Sequence, residues 1–161
     1  MGRVIDTRGG KMKNQKQHSQ KKVLKTGNGN KENIELIISN DDPRLLIEEA
    51  EKLAKGISDN KEATKTQIRR LFSSLRSIEY AWPLTIENDQ SKNERADAYR
   101  QLLLMSPRLA YEAKRHSSLN KVCEIIQSGI DAVDLNDRRT FERLVQFFEA
   151  VVGYYFGSKG G

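Results

Sequence analysis

The chain has 161 residues, 37% of them hydrophobic and 31% charged, with one cysteine and a formal net charge of +6. That length holds one domain, or one domain plus a tail, and a single cysteine excludes a disulfide framework within the chain. Charge is unevenly placed: residues 1–31 carry nine Lys/Arg against Asp6 alone, giving +8, whereas residues 32–161 carry nineteen against twenty-one acids, giving −2. The high pI therefore belongs to the N-terminal arm, and any nucleic-acid surface on the folded part has to come from local clustering of cations. The N-terminus is basic but has no apolar segment of the signal-peptide kind, so a reducing cytoplasm is the expected setting.

Residues 1–41 read as a basic, low-complexity arm. Lys, Gln, Asn and Gly dominate residues 1–31, a composition that buries too little surface to offset the entropy of ordering it. Ile34, Leu36, Ile37 and Ile38 form a small apolar knot that suits docking as a turn or a strand. Regular structure is expected from Asp42-Pro43, an N-cap followed by proline at the first helical position. Leu45, Leu46, Ala50, Leu53, Ala54 and Ile57 follow at helical spacing, with Gly56 as a stop.

A second helix opens with Thr64-Lys65-Thr66-Gln67, which has the form of a capping box. Ile68, Leu71, Phe72, Leu75 and Ile78 make its core face, and it ends near Trp82-Pro83. Residues 83–90 read as loop. Ser91 and Glu94 suggest another capping box, before a helix with Ala98, Leu102, Leu103 and Met105 apolar. Ser106-Pro107 restarts the chain as a short helix from Arg108 to about His116. Ser118 is placed to cap the next, in which Leu119, Val122, Cys123, Ile126, Ile130 and Val133 are in phase, and Asn136 or Asp137 caps the last.

That last helix organises the rest. Phe141, Leu144, Val145, Phe147, Phe148, Val151, Val152, Tyr155 and Phe156 sweep a wide arc, leaving Glu142, Gln146, Glu149 and Gly153 as a narrow polar stripe. A helix this apolar is buried on more than one side, yet it is too short and too interrupted by Glu149 to be a membrane span. No segment alternates as a strand. The expected fold class is all-α: one bundle of five or six helices over residues 42–157, with 158–161 as a tail.

Two rows of cations stand out. Lys65, Arg69 and Arg76 lie within about 40° of one another on the second helix, beside its apolar face, with Arg70 further round. Spaced cations on a rigid element suit phosphate contacts that read no base, although a solvated helix flank shows the same pattern. On the short helix Arg108, Tyr111 and Arg115 stand at i, i+3 and i+7, two guanidiniums beside one ring, which suits a sugar–phosphate backbone. The bland reading is a core tyrosine with acid-paired arginines. Lys114 lies about 100° from Arg115.

Catalysis finds no constellation. His18 lies in the arm and His116 at a helix end, so no metal-ligand cluster or histidine-dependent dyad can be drawn, and Cys123 suits a small buried position. The Gly-rich stretches at 27–29 and 157–161 lack the Lys-Ser/Thr of a phosphate loop. No cofactor, metal or enzymatic activity is expected.

Three segments together are similar to a known family. Thr64 to Arg70 (TKTQIRR) resembles a "TTSQIRK" element, Pro107 to Arg115 (PRLAYEAKR) a "PKLAYxAGR" element, and Phe147 to Tyr154 (FFEAVVGY) an "FFEAIVAYH" element. Their order and helical setting resemble the small subunit of the type III-A (Csm) CRISPR-Cas effector complex, across roughly residues 43–157. Lys114 stands where the pattern has glycine, and Gly153 where it has alanine. The resemblance implies a non-catalytic, helical RNA-binding subunit in antiviral defence, several copies of which stack beside the other subunits and contact the phosphate backbone of the guide RNA–target RNA duplex without sequence readout. Lys65, Arg69, Arg108 and Arg115 are expected phosphate contacts from both the resemblance and the helical wheel, and Arg76 from geometry alone; Arg70 and Lys114 complete the candidate set. The competing expectation is a helical protein-assembly adaptor whose basic tail supplies nonspecific nucleic-acid affinity.

Overall fold

In the computed structural model, which describes residues 29–57 and 61–158, the apolar C-terminal sequence is one helix, Arg138–Gly157. Six helices precede it: α1 (Gly29–Asn40), α2 (Pro43–Gly56), α3 (Glu62–Ala81), α4 (Asp89–Leu103), α5 (Met105–Arg115) and α6 (Asn120–Asp131). The Arg138–Gly157 helix is α7, and a one-turn 3-10 helix, Ser117–Leu119, joins α5 to α6. No strand occurs among the described residues, so the all-α expectation holds. The expected disorder of the arm concerns mainly residues 1–28, which lie outside the described residues, as do 159–161 of the tail.

Helix α7 is the shared wall of the bundle, packing against α1, α2, α3 and α6. Thr140, Phe141, Leu144, Val145, Phe147, Phe148, Val151 and Tyr155 are buried, while Gln146, Glu149 and Gly153 of the polar stripe are exposed. Trp82, at the end of α3, stacks on Phe141 at 5.0 Å between ring centres, and Phe72 meets Phe148 edge-on at 5.9 Å. Truncating a ring of this kind to alanine costs about 3–5 kcal/mol, so these contacts weigh heavily in the stability of a single domain.

The start of regular structure departs from expectation. The segment around Ile34, Ile37 and Ile38 is neither turn nor strand but helix α1, and all three isoleucines are buried. Its amphipathic pattern is weak, so tertiary contact rather than periodicity supports it, chiefly against α6, α2 and α7. Gly129 of α6 sits at this junction and makes room for α7: a Cβ there would lie 2.5 Å from Leu144 Cδ1, whereas Ile34 Cγ1 of α1, at 3.5 Å, would be in ordinary contact. Arg143 of α7 then holds the far end of α1, donating from Nη1 to the Ile38 carbonyl at 2.7 Å. Asp41 makes the turn with φ of +54°, in the left-handed region that Asp and Asn tolerate better than most residues.

Local caps hold in part. Asp42 accepts from the Leu45 amide at 3.0 Å and Asp137 from the Arg139 amide at 3.1 Å, as expected. Thr64 does not cap α3, which begins at Glu62; its buried hydroxyl instead lies 3.0 Å from that of Ser118. Ser118 is thereby taken from its expected cap as well. At α4 the box is Asn88 with Ser91, not Ser91 with Glu94, because the Asn88 side chain accepts from the Ser91 amide and the Ser91 hydroxyl from the Asn88 amide.

Candidate nucleic-acid interface

Helix α3 makes one long-range contact with α5 and another with the 3-10 turn that follows it. Arg108 Nη1 donates to Ser74 Oγ at 3.0 Å, and Ser118, just past α5, meets Thr64. The contacts run in opposite chain order, so the two helices lie antiparallel. Between them opens a groove of about 490 Å³, lined by Arg69, Arg70 and Arg108 and by Thr66, Ser73, Ser74 and Ser77. Among the described residues no carboxylate lines it.

Why this face is free of acid is written in α3. Between Glu62 and Glu79 the helix carries four cations and no Asp or Glu. Its core side is taken by Thr64, Ile68, Leu71, Leu75 and Ile78, which leaves the arginines and small hydroxyl residues for solvent. The reading of cation rows missed the hydroxyl floor. The signal was available as Thr66, Ser73 and Ser77, at i, i+7 and i+11, within about 20° of one line on the wheel.

The candidate residues fall into three groups. Arg69, Arg70 and Arg108 share the groove. Among the described residues no hydrogen bond or ion pair engages the Arg70 guanidinium, and Arg108 touches a hydroxyl rather than an acid. Arg69 lies with its guanidinium 4.5 Å from the Phe156 ring centre, and its nearest carboxylate oxygen, on Glu62, is 3.8 Å away. Lys65 reaches the same carboxylate at 3.7 Å. One exposed carboxylate shared by two cations at such lengths neutralises little, since exposed pairs are worth about 0–1 kcal/mol.

Arg115 and Tyr111 form the second group. Tyr111 is 57% exposed, so the core-residue reading fails. Arg115 Nη1 donates to its hydroxyl at 3.1 Å, with the guanidinium 5.9 Å from the ring centre. The third group is not brought to the groove. Arg76 is bound to Glu79 at 2.5 Å and lies 5.6 Å from the Tyr80 ring centre. Lys114 is exposed and contacts nothing that would orient it toward the groove.

Arg138 and Arg143 are structural instead. Arg138 pairs with Glu142 and donates to the carbonyls of Trp82 and Glu79, tying the start of α7 to the end of α3. Burial, with a smaller push from Glu112, raises the Cys123 thiol to about 11, which keeps it protonated and unreactive at neutral pH. Among the described residues no group of three His, Cys, Asp or Glu side chains is arranged to hold a metal, and no helix is long and apolar enough to cross a membrane.

These features define a class: a wholly helical domain that presents cations and hydroxyls along one groove between two antiparallel helices. The chain belongs to the family described as Csm2 Type III-A, whose sequence model matches residues 40–159, and so to the small subunits of type III-A CRISPR-Cas effector complexes. The resemblance seen in the three sequence segments is thereby borne out. No curated protein and no solved structure gives a significant match to the chain.

Proposed function

We propose that this protein is the non-catalytic RNA-binding small subunit of a cytoplasmic type III-A effector complex. In it, several copies stack beside the other subunits and hold the phosphate backbone of guide and target RNA without reading sequence. The observation that carries this reading is the convergence of Arg69, Arg70 and Arg108, from two separate helices, on one groove without a carboxylate. Fixed guanidiniums replace condensed counterions on a polynucleotide, and hydroxyls donate to phosphate oxygens. Neither group distinguishes one base from another, as a contact repeated from copy to copy requires. Lys65, Lys114 and Arg115 extend the candidate surface beyond the groove, whereas Arg76 is taken up by Glu79.

Co-expression with the other complex subunits and a guide RNA tests the proposal. The expected result is copurification in several copies, with RNA crosslinks to α3 and α5. Affinity should fall steeply with salt and vary little with RNA sequence. If deletion of residues 1–31 abolishes RNA binding while Arg69→Ala with Arg108→Ala changes nothing, the protein is an assembly adaptor with a basic tail.

A further inference from the structure

Tyr80 is the most exposed large hydrophobic side chain among the described residues, at 82%. It is not on a loose segment. Two residues on, Trp82 is buried against Phe141, and Arg138 donates to the carbonyls of Glu79 and Trp82, each at 3.4 Å. The backbone that bears the ring is therefore anchored on both sides of it.

The ring also has a fixed neighbour. The Arg76 guanidinium lies 5.6 Å from its centre and is itself held by Glu79. Arg76 and Glu79 cancel each other's charge, so this corner offers a flat, braced surface rather than a phosphate site. On the wheel Tyr80 stands about 20° from Ser73 and 60° from Ser77. Both serines line the arginine groove, so Tyr80 extends the same wall by one turn. An adjoining hollow past Ser77 mixes apolar Ile78, Ala81, Leu104 and Met105 with Gln101 and Arg108.

We propose that Tyr80 is a stacking platform for an unpaired nucleobase of a single-stranded RNA whose backbone lies in the adjoining arginine groove. The proposal rests on the reading of that groove as a phosphate site. Tyr80 lies six residues along α3 from Ser74, which Arg108 touches, and ten from Arg70, so a single strand leaving the arginines reaches the braced aromatic face about two to three helical turns on, after about 9–15 Å. Every base has a flat face, so the contact is indifferent to sequence, and the anchored backbone keeps the entropic cost of ordering low. A base inside a duplex has both faces covered and gains nothing from the ring.

The experiment measures full-chain protein at low ionic strength against a fluorescein-labelled oligouridylate and against a blunt RNA duplex of equal length. Tyr80→Ala should weaken oligouridylate binding by about tenfold and duplex binding by less than about twofold. Tyr80→Phe should bind both as the parent does, because stacking needs the ring and not the hydroxyl. Equal losses on both RNAs, no loss on the single strand, or a Tyr80→Phe variant as weak as Tyr80→Ala overturns the proposal. A variant that binds oligouridylate normally but fails to assemble with partner subunits assigns the ring to a protein contact and overturns it too. Arg69→Ala with Arg108→Ala separates the two readings. If that variant weakens both RNAs while Tyr80→Ala matches the parent, only the platform fails; if it binds as the parent does, the groove reading fails.

Discussion

Arg108 and Ser74 stand 34 residues apart in sequence and touch at 3.0 Å, guanidinium to hydroxyl. The contact points the Arg108 side chain across the groove toward α3 without neutralising it, since a hydroxyl accepts the hydrogen bond and leaves the charge whole. A carboxylate in that place would have made the arginine a structural brace, as Glu142 does for Arg138.

Removing these cations should therefore show in the salt dependence of binding. Arg108→Ala is expected to reduce the slope of log affinity against log salt by about one, and Arg69→Ala with Arg108→Ala by about two, equally for unrelated RNA sequences. Ser74→Ala should weaken binding less than Arg108→Ala, because it loosens the arginine without removing it. Thermal melts should show all three variants within about 0.5 kcal/mol of the parent, since the contacts are exposed. Anisotropy titrations over a range of salt concentrations read the slopes.

Gly129 is where α6 admits α7. Alanine there gains about 1 kcal/mol in helix propensity but drives Leu144, which is fully buried, out of its position, at about 1–3 kcal/mol. The net expectation for Gly129→Ala is a loss of about 1 kcal/mol in urea unfolding, partly recovered by adding Leu144→Val. A stabilised Gly129→Ala variant would show that the core yields there at no cost.

Arg143 holds the end of α1 through the Ile38 carbonyl. Arg143→Ala should leave that carbonyl short of its charged donor, at a cost of about 1.5–3 kcal/mol. Hydrogen exchange locates the effect: amides of α1 should exchange faster while those of α7 keep their protection. Uniform acceleration across the bundle would instead mean that α1 cannot open on its own.

Cys123 makes stability fall at alkaline pH. Its thiol titrates near 11 in the folded protein against 9.0 for the free group, so the folded state holds the proton more tightly. The associated stability is complete below about pH 9 and is lost as pH rises toward 11, up to about 2–3 kcal/mol. Urea titrations at pH 8 and pH 10.5 should show a larger alkaline loss in the parent than in Cys123→Ala. Identical losses in the two proteins would place the effect elsewhere.

Much of this protein was written locally. Helical periodicity, the caps at Asp42 and Asp137 and the wide apolar arc of α7 depend on residues within about one turn of each other, so the sequence alone establishes an all-α bundle built around its last long helix. Even the loss of Arg76 to Glu79 was visible as an i, i+3 pair. Tertiary structure alone decided what lies across from each face. Thr64 reads as a cap until Ser118, 54 residues on, is brought against it; Ile34, Ile37 and Ile38 become a helix because α6, α2 and α7 cover them; Arg70 and Arg108 become neighbours because α5 folds back along α3. Such pairings depend on which helices meet, and that choice is made by summed burial over the whole chain rather than by any window of it.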